Sequence, residues 1–124
     1  MATPAMERGR WGESVAVRFL RRKGYRILRR NWHSGHWEID LIARDGDVLV
    51  FVEVKTRRSG DAIGGYGAAI ASAKRRSLRG AVDAYLQGLG DELPCWRFDI
   101  IEVLTPPRHY AAEQIFHFEG VPLD

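Results

Sequence analysis

The chain has 124 residues, 45% apolar and 28% charged, with a lone cysteine, Cys95; such totals fit one globular domain, residues 1–124, without an intramolecular disulfide or any apolar run near the roughly 18 residues of a membrane span. The N-terminal MATPAMERGRWGE lacks the apolar stretch of a secretory signal, so a reducing cytoplasmic setting and no membrane partner are expected. The net charge of +3 hides an asymmetry, 17 Lys/Arg against 8 Asp/Glu in residues 1–79 but 2 against 8 in 80–124, which points to a polyanionic partner, nucleic acid, for the basic part.

In chain order, RWGESVAVRFLRRK (10–23) places Trp11, Val15, Ala16, Phe19 and Leu20 at helical spacing, and Gly24 supplies a stop. YRILRRNWH (25–33) reads as a strand with aromatic ends, followed by a Ser34-Gly35 turn. Two β-rich runs, roughly 37–43 and 48–55, flank Asp45-Gly46, a strong two-residue hairpin signal. RRSGDAIGGYGAAI (57–70) reads as a loop able to wrap DNA, since it lacks the Lys-Ser/Thr ending of a nucleotide-binding P-loop. Within it, Tyr66 either packs or stacks on a base. A second helix follows from near Ile70, with Ser72 as N-cap and a stripe of Leu78, Ala81, Val82, Tyr85 and Leu86 that leaves Lys74, Arg75 and Arg79 outside.

After QGLGDELP, the run CWRFDIIEVL (95–104) reads as a buried strand, so that strand, helix and strand make a parallel crossover. Pro106-Pro107 ends it, and QIFHF (114–118) is a last, edge strand. The expected fold class is α/β, a mixed sheet flanked by helices. Asp99 is expected to pair with Arg97 or another basic neighbour in a structural role.

The hairpin raises a chemical question, because Glu38, Asp40 and Glu53 interrupt apolar runs and Lys55 follows two residues after the last acid. With Asp45 and Gly46 as the turn residues, Asp40 faces Phe51, Glu38 faces Glu53 and His36 faces Lys55. Alternation then sets Glu38, Asp40, Phe51, Glu53 and Lys55 on one face. Asp40 and Glu53 become diagonal neighbours, with Cα atoms about 7–8 Å apart. Carboxylates crowded in this way repel one another. A hard dication, Mg²⁺ or Mn²⁺, compensates directly and keeps coordination positions for phosphate oxygens. Lys55 is placed to orient an attacking water or to hold a phosphate oxygen as negative charge develops.

Glu-x-Lys alone more often marks an exposed strand than a site. Here an acid at the diagonal position, apolar flanks and phosphate-seeking clusters around it favour catalysis. Arg29, Arg30, Arg57, Arg58, Lys74 and Arg75 are the expected nucleic-acid contacts. His33 and His36 are expected to meet solvent or phosphate, because four histidines and one cysteine lack the paired spacing of a zinc site.

At Asp40 and Glu53-Val54-Lys55 the sequence resembles the PD-(D/E)xK nuclease superfamily. Nearly end to end it is similar to the YraN-like (UPF0102-type) family of uncharacterised bacterial proteins, related in fold to archaeal Holliday junction resolvases. The stretches that carry the likeness are GESVAVRFLRRKGYRILRRNW, EIDLIARDGDVLVFVEVKTR, GGYGAAIASAKRRSL and RFDII. The resemblance implies a restriction-endonuclease-like core and Mg²⁺-dependent cleavage of DNA phosphodiesters, on branched or damaged DNA. It implies Asp40, Glu53, Lys55 and Glu13 as catalytic residues, Glu13 reaching in from the first helix, and Asp40, Glu53, Glu13 and Glu38 as metal ligands. Junction cutting would call for a homodimer, to address two strands symmetrically. The alternative is a DNA-binding accessory protein that keeps the fold without efficient cleavage. One departure is Trp37, where the family usually has Gly.

Overall fold

The first helix, α1 (Pro4–Arg22), begins well before residue 10, because capping chemistry extends it past the apolar stripe. The Thr3 hydroxyl accepts the Met6 N–H at 3.1 Å, and Pro4 sits in the first turn, where its missing N–H leaves nothing unpaired. The computed structural model describes residues 3–59 and 72–123. GDAIGGYG with Tyr66, the segment at Ile70 and the Ser72 side chain lie outside them.

Five strands, β1 (Arg26–Ser34), β2 (Trp37–Asp45), β3 (Val48–Arg58), β4 (Trp96–Thr105) and β5 (Gln114–Phe118), form one sheet in that order. Neighbours run antiparallel except β3 and β4, which are parallel and joined through α2 (Ser72–Gln87), the expected crossover. Arg57 and Arg58, read from sequence as the start of a loop, are instead the last residues of β3, where they pair with Leu104 and Thr105.

Each helix covers one face of the sheet. Val15, Ala16, Val17 and Leu20 of α1 pack on Leu41, Ala43, Val50, Val52, Ile101 and Val103. Leu78, Ala81, Val82 and Leu86 of α2 pack on Ile42, Leu49, Phe51, Phe98 and Ile100. Alternate residues of β3 serve the two sides, which is why VLVFV carries no polar residue. Burying one such aliphatic or aromatic side chain contributes roughly 1.5–3 kcal/mol. No helix among the described residues is long and apolar enough to cross a membrane.

The hairpin register differs from the sequence reading. Asp45 pairs with Val48, so the turn residues are Gly46 and Asp47 rather than Asp45 and Gly46. Gly46 has φ 61°, the positive value that the first position of a two-residue II′ loop requires. Arg44 therefore faces Leu49 and Ile42 faces Phe51. Asp40 does not face Phe51, Glu38 does not face Glu53, and His36 is not set against Lys55. Leu41 with Val52 is the last pair, so Asp40 and Glu53 each lie one residue beyond the end of the ladder. A shift of two residues keeps Ile42 and Phe51 on one face, but the expected alternation breaks at Asp40, since Ile39 and Ile42 both pack under α2 while Leu41 between them packs under α1.

Two glycines fix how the helices approach. A Cβ on Gly12 would overlap the Thr56 hydroxyl, so α1 lies directly on β3 there. A Cβ on Gly80 would strike the Trp37 ring, which packs with the partly buried residues under α2. The bulky residue at the entrance of β2 thus fills core space against a helix that has made room for it. Gly80→Ala is expected to lower stability by about 1–3 kcal/mol through overpacking, and Trp37→Leu in that background to recover part of the loss, both measured by urea unfolding.

A candidate metal and phosphate site where two strands part

β2 and β3 are paired only from Leu41 to Asp45 on the β2 side, although β2 begins at Trp37 and β3 continues to Arg58. Before Leu41, β2 pairs with β1 alone. The strands therefore separate at the two acids. In place of a backbone partner, the Val54 N–H donates to Asp40 Oδ2 at 2.8 Å. A side chain has replaced one rung of the ladder, and its carboxyl is fixed at the fork.

Glu53, across the fork, is 8% exposed. Burial, hydrogen bonding to Glu53 and the nearby Glu53 charge push the Asp40 carboxyl up to about 8, although the Val54 N–H pulls the other way. Glu13 of α1 adds its charge to Asp40. It is itself raised by burial, against the hydrogen bond from Asn31 and the charge of Arg30, with Glu53 and Glu38 adding to the rise. Four acids from α1, β2 and β3 are thus connected, Glu38 through Glu13.

They are not equally close. Asp40 and Glu53 act most strongly on one another, whereas Glu38 is exposed and lies 3.8 Å from His33 across the β1–β2 ladder. Among the described residues, the group of three or more His, Cys, Asp and Glu ligand atoms lying mutually within 4.8 Å is Asp99, His117 and Glu119, not the acids at the fork. Glu13 and Glu38 therefore flank the Asp40–Glu53 pair rather than closing a tight set with it.

Asn31 was not anticipated. It is the non-glycine residue with positive φ among those described, 52°, inside β1, and its side chain hydrogen-bonds Glu13. A short amide tolerates that conformation, and an asparagine in a β-rich run was the available signal.

The cations divide by environment. Lys55 is exposed on β3 beside Glu102 in the β3–β4 register, and its ammonium makes no ion pair with a described residue. Lys74, from the first turn of α2, places Nζ 3.2 Å from Glu53 Oε2. That oxygen is buried, and no donor is aligned on it for a hydrogen bond, so the contact is an ion pair rather than a directed bond.

Arg57 lies 3.1 Å from buried Glu102, and Arg58 donates to the Pro106 and His109 carbonyls while covering the Tyr110 ring, so both are engaged within the protein. Arg29 and Arg30 are exposed on edge strand β1, Arg30 donating to Ser14 Oγ at 3.2 Å, and Arg75 is half-buried. His36 packs against Trp37 with the rings tilted by 40° and their centroids 4.1 Å apart. A cavity of about 530 Å³ lined by Arg79, Asp83, Leu93 and Trp96 lies at the other end of α2 from Lys74 and touches none of these acids.

The donor set fits a hard divalent cation. Asp40 and Glu53 are the most strongly coupled of the acids, no donor among the described residues is aligned on Glu53 Oε2, and their mutual repulsion, offset in part by the Lys74 ammonium, is relieved further by a proton or a dication.

The profile of the uncharacterised protein family UPF0102 matches residues 12–103. A UPF0102 protein of Symbiobacterium thermophilum is 52% identical over 99 residues, 80% of this chain and 83% of its own length. One from Chlorobium chlorochromatii is 45% identical over 115 residues, covering 93% and 88%. One from Herpetosiphon aurantiacus is 35% identical over 125 residues and matches along the whole of both chains. The matched span contains Glu13, Asp40, Glu53, Lys55 and Lys74.

Proposed function

Since the chain belongs to the uncharacterised protein family UPF0102, we propose from its own chemistry that it is a Mg²⁺- or Mn²⁺-dependent endonuclease that hydrolyses DNA phosphodiesters. The observation that carries this is the Asp40–Glu53 pair at the fork of β2 and β3, with exposed cationic side chains on β1 and β3 around it. The motif likeness to PD-(D/E)xK nucleases and the mixed sheet between two helices support the same reading.

When bound, a divalent ion would supply Lewis acidity toward a phosphate oxygen and an acidified water. Asp40 and Glu53 would hold it, with Glu13 and Glu38 adding negative charge from the flanks. The Val54 N–H keeps Asp40 aimed into the fork, and Asn31 orients Glu13. Lys55, which makes no ion pair with a described residue, offers its ammonium to the attacking water or to the charge growing on the phosphate. Arg29 and Arg30 on the open edge of the sheet are placed for sequence-independent phosphate contacts. A junction substrate would need two copies acting on opposed strands.

A second reading, a DNA-binding accessory protein without turnover, draws on the exposed Lys55, which nothing in the described protein orients. Incubation of the pure protein with branched, nicked and single-stranded DNA separates the two. Cleavage in Mg²⁺ or Mn²⁺ that disappears in EDTA and falls at least about 100-fold in Lys55→Ala is expected. Salt-sensitive binding without metal-dependent cleavage would select the accessory reading.

A further inference from the structure

Lys74 reaches the acid pair from α2, twenty-one positions beyond Glu53, and it does so by charge alone. Its ammonium lies 3.2 Å from an oxygen of a side chain only 9% exposed, while the lysine side chain itself is 45% exposed. The buried stripe of α2 begins later, at Leu78, so the helix does not depend on Lys74 for its packing. Asp40 and Glu53 are far less free. The first accepts the Val54 N–H, and the second is buried on β3, where it pairs with Ile100 of β4.

We infer that Lys74 is an exchangeable counter-charge of this site, neutralising Glu53 in the metal-free protein and giving way when a divalent cation is shared by Asp40 and Glu53. The inference rests on the metal reading above. An ammonium and a dication held by the same carboxylate repel each other strongly in a half-buried setting, because charges a few ångströms apart are poorly screened there. One of them must leave, and a four-carbon stem with its head near solvent moves at little conformational cost. Once displaced, the Lys74 ammonium stands at the rim of the fork, where a substrate phosphate is its natural partner. The two lysines then have separate roles, Lys55 without a competitor among the described residues and Lys74 released by the metal. The chain thereby contains its own competitor for the metal, which keeps divalent affinity low until cation and DNA arrive together.

The test is Mn²⁺ binding to the full chain, followed by electron paramagnetic resonance and calorimetry. Lys74→Met is expected to bind Mn²⁺ roughly tenfold more tightly than the unmodified protein, with Lys74→Gln in the same direction and Lys74→Arg near the original affinity. Unchanged or weaker Mn²⁺ binding in Lys74→Met and Lys74→Gln, when the unmodified protein binds the ion, overturns the inference and leaves the metal reading intact. No Mn²⁺ binding by any of them overturns both.

The release to phosphate has its own readout, taken with Lys55→Ala protein so that cleavage does not intrude. In Mg²⁺, removing Lys74 should make the salt dependence of DNA binding shallower by about 0.9 in logarithmic slope, and in EDTA it should change nothing. An equal change in both conditions would mean that Lys74 reaches phosphate without the ion, and no change in either that it never leaves Glu53; both results stand against the inference.

Discussion

Asp40→Asn is expected to raise the melting temperature of the metal-free protein at pH 8 and to flatten its decline between pH 5 and 9. The carboxyl ionises at an ordinary 3.8 in the unfolded chain and at about 8 in the folded one. Between those values the folded state holds the extra proton, so this contribution to stability is complete below 3.8 and is lost as pH rises through about 8. Each pKa unit corresponds to about 1.4 kcal/mol, and since the proton belongs to the Asp40–Glu53 pair as a unit, the total decline amounts to a few kcal/mol.

Asparagine imitates the protonated acid: its oxygen accepts the Val54 N–H, and its NH₂ donates to Glu53. It cannot become the second negative charge. The same substitution should abolish the gain in melting temperature that Mg²⁺ gives at pH 8, because one of two ligands has lost its charge. Melting curves in EDTA and in Mg²⁺ across this range decide the matter. Parallel curves for the two proteins would show that Asp40 is not the group whose proton balances the fork.

The fold was legible wherever a pattern is local. The α2 stripe, the apolar runs of β3 and β4, and the edge strand QIFHF all lie where their periodicities place them, and the β3–α2–β4 crossover follows from their order. The hairpin was legible in type but not in register. Asp45-Gly46 is the stronger turn signal on composition, yet a glycine at the first loop position lets Asp45 remain in the ladder. The error was two residues, so Ile42 and Phe51 kept a common face, while the opposing partners changed and the break in alternation at Asp40 left no trace in the spacing.

Long-range encounters were illegible, because strand or helix spacing cannot connect Lys74 to Glu53 or Asn31 to Glu13. The basic residues show the same limit. Sequence weighs Arg57 and Arg58 equally with Arg29 and Arg30, whereas a buried Glu102 and two loop carbonyls engage the first two. What a strand neighbour offers decides whether an arginine faces DNA or the protein.

Asp99→Ala is expected to destabilise the protein by about 3–5 kcal/mol, the loss typical when a buried charge is left without its partner. Asp99 is fully buried on β4, and Oδ1 accepts from Arg97 Nε and the Gly120 N–H, both at 3.0 Å, while Oδ2 lies 2.8 Å from His117 Nε2. Lys23 Nζ is 2.8 Å from His117 Nδ1, and since an ammonium only donates, Nδ1 accepts and Nε2–H faces Asp99. Arg97 extends the network through Nη2 to Tyr25, Asp45 and Glu119.

One carboxylate therefore joins the end of α1, the start of β1, the hairpin turn, β5 and the segment after it. Asp99, His117 and Glu119 lie close enough to imitate a metal site, but Arg97 and Lys23 already supply its positive charge. Burial alone would raise the Asp99 carboxyl; His117, the Gly120 N–H and Arg97 outweigh it and hold the group below its usual 3.8. Its stabilisation is accordingly present above pH 3.8 and fades as pH falls below that, opposite in sign to the contribution of Asp40. Asp45→Ala removes a partner of the same arginine at a side chain 44% exposed, where an ion pair contributes about 0–1 kcal/mol. Urea unfolding of both variants at pH 7 gives the comparison. Equal losses would mean that the arginine, rather than the buried carboxylate, organises this end of the sheet.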